Sequence, residues 1–129
     1  MIKVQNLRKV YKVGNEKVVA LNNVSLEIPR GEFCCIVGTS GSGKSTLLNM
    51  LAGLEKPTKG KVKINGQIVS KMTEKELAKF RQNNIGFIFQ SYNLMPTMTA
   101  VENVAFPLVF KGVDRKTREK RARKILKEM

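Results

Sequence analysis

Ile2 and Val4 alternate with polar neighbours and Leu7 extends the pattern, so the chain opens on a half-buried strand. Residues 11–16 read as a turn. Alternation resumes from Val18 to Leu21 and again at Val24, Leu26 and Ile28, until Pro29-Arg30-Gly31-Glu32 ends it. Phe33-Cys34-Cys35-Ile36-Val37 is an unbroken apolar run, which predicts a buried strand. A helix follows to about Leu54, with Leu47, Leu48, Leu51 and Leu54 on one face. Asn65-Gly66 between residues 61–64 and 67–69 predicts a tight hairpin. Thr73-x-x-Glu76 is a capping box for a helix to about Asn84. Ile85-Gly86-Phe87-Ile88-Phe89 predicts a second buried strand, ending at Gln90, and residues 91–97 form a loop around Pro96. Thr99-x-x-Glu102 is another capping box, opening a helix that carries Val101, Val104, Ala105 and Leu108, which Pro107 should kink or shorten. Asp114 can cap a last, very basic helix.

Composition narrows the class. The chain has 129 residues, 42% hydrophobic and 26% charged, which suits a globular protein with a sizeable core. No apolar run approaches the roughly 18 residues of a membrane span. The first residues lack the apolar centre of a signal peptide. Cys34 and Cys35 are adjacent, without metal-ligand spacing, and read as small core residues in a reducing compartment. Lys and Arg number 24 against 10 Asp and Glu, a formal net charge of +14. Such a balance suits nucleic acid or an anionic membrane surface, but the cations are widely spread, and the favoured readings are an anionic nucleotide or a longer protein whose remainder carries the acidic residues.

Between the first apolar run and the first helix stands Gly38-Thr39-Ser40-Gly41-Ser42-Gly43-Lys44-Ser45, which fits G-x-x-x-x-G-K-[ST] at every fixed position. A predicted strand before it and a helix after it are the context that the pattern requires. Gly38, Gly41 and Gly43 are expected to take positive φ and bring the backbone close to an anion. The helix N-terminus adds unpaired N–H groups and partial positive charge. Lys44 would reach the β- and γ-phosphates of a nucleotide, Ser45 would bind Mg²⁺, and Thr46 would donate to the α-phosphate.

The sequence resembles the N-terminal half of an ABC transporter ATPase subunit. The likeness rests on several blocks besides the phosphate loop: Val24-Ser25-Leu26-Glu27-Ile28 with Gly31-Glu32, Leu54-Glu55-x-Pro57-Thr58-x-Gly60, and Ile85-Gly86-Phe87-Ile88-Phe89-Gln90. Phe89-Gln90-Ser91-Tyr92-Asn93-Leu94-Met95-Pro96, then Thr99-Ala100-x-Glu102-Asn103-Val104, resembles the branch of macrolide exporters, lipoprotein-releasing ATPases and antimicrobial-peptide exporters. Thr39 departs from the Pro that this branch often carries.

The resemblance implies an α/β P-loop NTPase core with an N-terminal antiparallel β-subdomain and the start of a helical subdomain. Residues 1–90 would be the ATP-binding core and 91–129 the Q-loop and helical subdomain. It implies ATP and Mg²⁺ as ligands, Tyr11 stacking on adenine, and Gln90 contacting Mg²⁺ and the attacking water. Lys44 and Gln90 are the candidate catalytic residues. Implied partners are a transmembrane permease, which would receive Tyr92, Leu94 and Met95, and a second ATPase copy, at the cytoplasmic face of the membrane. The family's Leu-Ser-Gly-Gly-Gln motif, catalytic Glu and switch His do not occur, and the chain contains no His. The expectation is therefore an N-terminal portion that binds nucleotide weakly and does not turn it over alone.

Two other classes stay open on the sequence. A different P-loop enzyme, such as a small-molecule kinase or GTPase, would need an acceptor pocket or an Asn-Lys-x-Asp motif, and the latter is absent. A basic nucleic-acid module would need cations interleaved with aromatics, and aromatics are only 6%. No specific nucleic-acid partner is expected.

Overall fold

Two long strands, β1 (Ile2–Val13) and β2 (Glu16–Ile28), form one antiparallel hairpin in the computed structural model, which describes residues 1–129. The expected turn at residues 11–16 shrinks to Gly14-Asn15, and Tyr11 to Val13 join the strand. The odd spacing of Ile2, Val4 and Leu7 has a physical origin. The pairing register shifts between Val4 and Leu7, where Asn6 adopts φ 49° and its N–H donates to Ser25 Oγ at 2.8 Å. This bulge lets Leu7 return to the face already used by Val4, and both side chains are buried.

β3 (Lys59–Ile64) pairs with the other edge of β1, and β4 (Gln67–Ile68) extends the sheet, giving the order β2-β1-β3-β4. The Asn65-Gly66 turn joins β3 to β4 with φ of 47° and 85°, the doubly positive geometry of a tight hairpin. A short 3₁₀ turn (Val69–Lys71) leads to α2 (Glu74–Asn84), whose capping box forms as expected. Val4, Leu7, Leu21, Val62 and Ile64 of the sheet cluster with Leu47, Met50 and Leu51 of α1 (Lys44–Leu51) and with Leu77 and Phe80 of α2. Burial of each such side chain contributes about 1.5–3 kcal/mol.

Three expectations need correction. α1 ends at Leu51 rather than near Leu54, and the chain turns at Gly53. Met50 therefore takes a core position, whereas Leu48 and Leu54 stay exposed. The two apolar runs at 33–37 and 85–89 are not strands. Neither is laddered to a neighbour in the four-stranded sheet, and a strand needs such a partner for its N–H and C=O groups. Phe33 is accordingly 94% exposed and Ile88 96%. Cys34 and Cys35 are exposed free thiols, not core residues.

The chain divides into two compact units, Met1–Phe87 and Ile88–Met129. In the second, α3 (Ala100–Val109) packs against α4 (Arg115–Glu128), with Ala105 and Ala122 both buried. Phe106 and Phe110 meet edge to face at 5.2 Å. Pro107 lies in the last turn of α3, which ends two residues later. Asp114 caps α4 by accepting from the Thr117 N–H at 3.0 Å. No helix is long and apolar enough to cross a membrane.

Candidate functional site

Residues 38–43 lead directly into α1, and Gly43 is its N-cap residue. α1 differs from the other helices at this end. Thr73, Thr99 and Asp114 each accept an N–H bond at the start of their helices, but no side chain caps α1. The first helical bond runs from the Leu47 N–H to the Gly43 carbonyl at 2.8 Å. The N–H groups of Lys44, Ser45 and Thr46 precede it and lack intrahelical acceptors. Their partial positive charge is not offset by any acidic residue in the first turn.

Gly43 adopts φ 89°, and a Cβ there would overlap the Ala20 carbonyl oxygen of β2. The loop is thus seated on β2 at a point where no larger residue fits. Gly38 does not take the conformation expected of it. Its φ is not positive, but a Cβ would come within 2.7 Å of Ser42 Oγ. Gly41 does take the positive φ expected of it.

Lys44 lies across the loop. Its Nζ donates to the carbonyls of Gly38 and Thr39 at 2.9 and 2.6 Å, and to Ser42 Oγ at 3.3 Å. The Ser42 N–H closes a turn onto the Thr39 carbonyl at 3.3 Å. Ser40, Gly41, Ser42 and Ser45 are exposed, and Thr46 is half-buried. No group of three or more His, Cys, Asp or Glu side chains could hold a metal ion. A Mg²⁺ here would depend on the Ser45 hydroxyl and on phosphate oxygens, a donor set that suits this ion.

Tyr11, on β1, is brought to the same region. Its hydroxyl donates to Glu55 Oε2 at 2.7 Å, and Lys9 Nζ sits 4.9 Å from its ring centroid. Burial, then the hydrogen bond to Glu55 and that carboxylate's charge, raise the Tyr11 phenol above its ordinary range, and a hydrogen bond with Thr46 pulls the other way. Burial alone would raise Glu55 too. Hydrogen bonds from Tyr11, Asn49 and Lys9, with the Lys9 charge, outweigh it and hold the carboxyl low. Lys9, Asn49 and Glu55 were not singled out as site residues from the sequence, because Tyr11 and Glu55 are 44 positions apart and no local pattern links them.

Gln90 belongs to the second unit, where it is exposed in a stretch without helix or strand. It does not end a buried strand, because residues 85–89 form none. Nearby, Asn103 of α3 accepts the Met95 N–H and donates to the carbonyls of Met95, Met98 and Thr99, which fastens this loop to the helix. Tyr92 and Leu94 are exposed. An open groove of about 810 Å³ runs along Lys116, Lys120, Arg123, Lys124 and Lys127 of α4. It is an open channel among solvated side chains, whereas phosphate recognition depends on surface N–H groups such as those of α1.

A family profile described as ABC transporter matches residues 21–129. An uncharacterised ABC transporter ATP-binding protein of Thermotoga maritima is 52% identical over 118 residues, covering 92% of this chain and 50% of the relative. The macrolide export ATP-binding/permease protein MacB of Vibrio parahaemolyticus is 47% identical over 98% of this chain, which spans 19% of that larger protein. Among solved structures, the dimeric ATP-binding cassette MJ0796 in a post-hydrolysis state with ADP and Pi superimposes with a TM-score of 0.91. It is 48% identical and matches 98% of this chain and 56% of its own. The chain thus spans about half the length of the ATP-binding relatives it matches.

Proposed function

This chain belongs to the ABC transporter family as an α/β P-loop ATPase, and from that premise we propose that it carries the ATP-binding site of a subunit that powers an exporter. The observation that carries the reading is the uncapped N-terminus of α1, with Lys44 held across a complete phosphate loop seated on β2. Backbone N–H groups of residues 41–46 and the Lys44 ammonium bind and orient the phosphates. The Tyr11 ring receives the adenine by stacking. Ser45 would be the protein's Mg²⁺ ligand in this unit, and Gln90 is named as a donor by the family resemblance alone. Bound Mg²⁺ neutralises charge that develops on the β- and γ-phosphates. Turnover belongs to the whole protein, where two copies and a membrane permease complete the machine, and not to residues 1–129 alone.

The export direction is supported by the likeness to MacB and by the block from Phe89 to Pro96. A titration of the protein with Mg-ATP, beside its Lys44→Ala variant, tests the binding site. Affinity that depends on Lys44 supports it, and equal affinities would remove it. Reconstitution with the adjacent permease, followed by substrate efflux from vesicles, tests the direction.

A further inference from the structure

The side chains around Tyr11 form a connected set that the phosphate loop does not need for its own geometry. Glu55 Oε2 accepts from the Tyr11 hydroxyl at 2.7 Å and pairs with Lys9 Nζ at 3.2 Å. Its other oxygen, Oε1, accepts from Asn49 Nδ2 at 3.1 Å. Asn49 lies on α1, one turn beyond Thr46, and its carbonyl also accepts the Leu54 N–H at 2.9 Å. Both oxygens of one carboxylate are therefore committed, one to the strand that carries Tyr11 and one to the helix that carries the phosphate loop.

The backbone on which Glu55 stands is pinned to the same strand. Lys9 Nζ donates to the Lys56 carbonyl at 2.9 Å, the Thr58 N–H donates to the Arg8 carbonyl at 2.9 Å, and the Val10 N–H donates to Thr58 Oγ1 at 3.0 Å. Glu55 thus has little freedom to move away. A phenol tethered at its hydroxyl, with a cation 4.9 Å from its ring centroid, is held in one orientation on β1.

We propose that Glu55 is a positioning residue for the nucleotide base: it holds the Tyr11 ring at a set place relative to the α1 N-terminus, so that base and phosphates are received in one geometry. The proposal rests on the reading that ATP binds with its base against Tyr11.

The test compares Mg-ATP with inorganic tripolyphosphate, which has no base, on the full-length protein. Glu55→Ala and Tyr11→Phe each weaken ATP about three- to tenfold and leave tripolyphosphate within about twofold. The double variant is no weaker than either single one, because both remove the same contact. Glu55→Gln, which keeps an acceptor for the phenol, restores most of the loss. If Glu55→Ala does not fold, Tyr11→Phe still tests the same bond through one atom. Equal losses for ATP and tripolyphosphate, additive losses in the double variant, or unchanged ATP affinity in Glu55→Ala would each overturn the proposal. ATP affinity unchanged in Tyr11→Ala would instead remove the stacking reading itself, and the proposal with it.

Discussion

Lys44 Nζ lies 2.6 Å from the carbonyl oxygen of Thr39, so the side chain is folded back over its own loop. A second bond to the Gly38 carbonyl, at 2.9 Å, fixes the ammonium above the N-terminus of α1. A phosphate arriving there must take over donors that now serve these two carbonyls and Ser42 Oγ. Lys44→Ala should weaken Mg-ATP binding by about 1.5–3 kcal/mol, the worth of a charge-assisted contact. Calorimetric titration measures the loss, and an unaltered thermal midpoint would assign it to the ligand rather than to folding.

Tyr11→Ala removes the stacking surface as well as its anchor. Loss of a base–aromatic contact corresponds to roughly 1–3 kcal/mol. Tyr11→Trp should bind far better than Tyr11→Ala, since a ring remains. Fluorescent-nucleotide displacement would rank them, and an Ala variant equal to wild type would contradict the role.

Gly43→Ala should damage the fold as well as the site. Its φ of 89° disfavours any L side chain, and the new Cβ would overlap the Ala20 carbonyl. A loss of about 2 kcal/mol or more is expected in urea unfolding, since strain and overlap add. A change below about 0.5 kcal/mol, the range of neutral surface substitutions, would mean that β2 does not seat the loop.

Acid should loosen the helix starts. The Glu76 carboxyl is held below its ordinary range by hydrogen bonds from the Thr73 backbone and side chain, and Glu102 likewise by Thr99. Asp114 is lowered by the Thr117 backbone and side chain. A folded-state value below the unfolded one stabilises above the unfolded value, near about 4, and the contribution vanishes as pH falls through the folded value. Far-UV circular dichroism should show helix loss beginning below about pH 4. Glu76→Gln, which can still close the box, should flatten part of that slope while leaving neutral-pH helicity intact.

Binding to nucleic acid should be weak and non-specific. The basic residues of α4 attract phosphate, but such contacts fade steeply with salt. Gel-shift titration across a salt series checks this, and sequence-selective binding near physiological salt would contradict it.

Features whose cause is local were legible in the sequence. Asn65-Gly66 contains its own turn chemistry, and Thr73 and Thr99 carry their partners three residues on. The G-x-x-x-x-G-K-[ST] pattern is likewise local, although the seat of Gly43 on the Ala20 carbonyl is not. Features whose cause is distant were not. Residues 33–37 and 85–89 have the composition of buried strands, but burial requires a neighbouring strand, which composition does not supply. The Asn6 bulge could be suspected only from the broken spacing at Leu7. The Tyr11–Glu55 bond joins positions that no periodicity connects.

The uncovered apolar runs have a colloidal meaning as well. Phe33, Val37 and Ile88 expose side chains that attract their own kind, and the charge of +14 opposes that attraction between copies of this polypeptide. Repulsion of that sort reaches about 10 Å at 0.1 M salt and only about 3 Å at 1 M. Added salt therefore uncovers attraction without altering a single contact. Light scattering from this polypeptide should rise with ionic strength and with protein concentration, and a preparation kept dilute at low salt should stay clear.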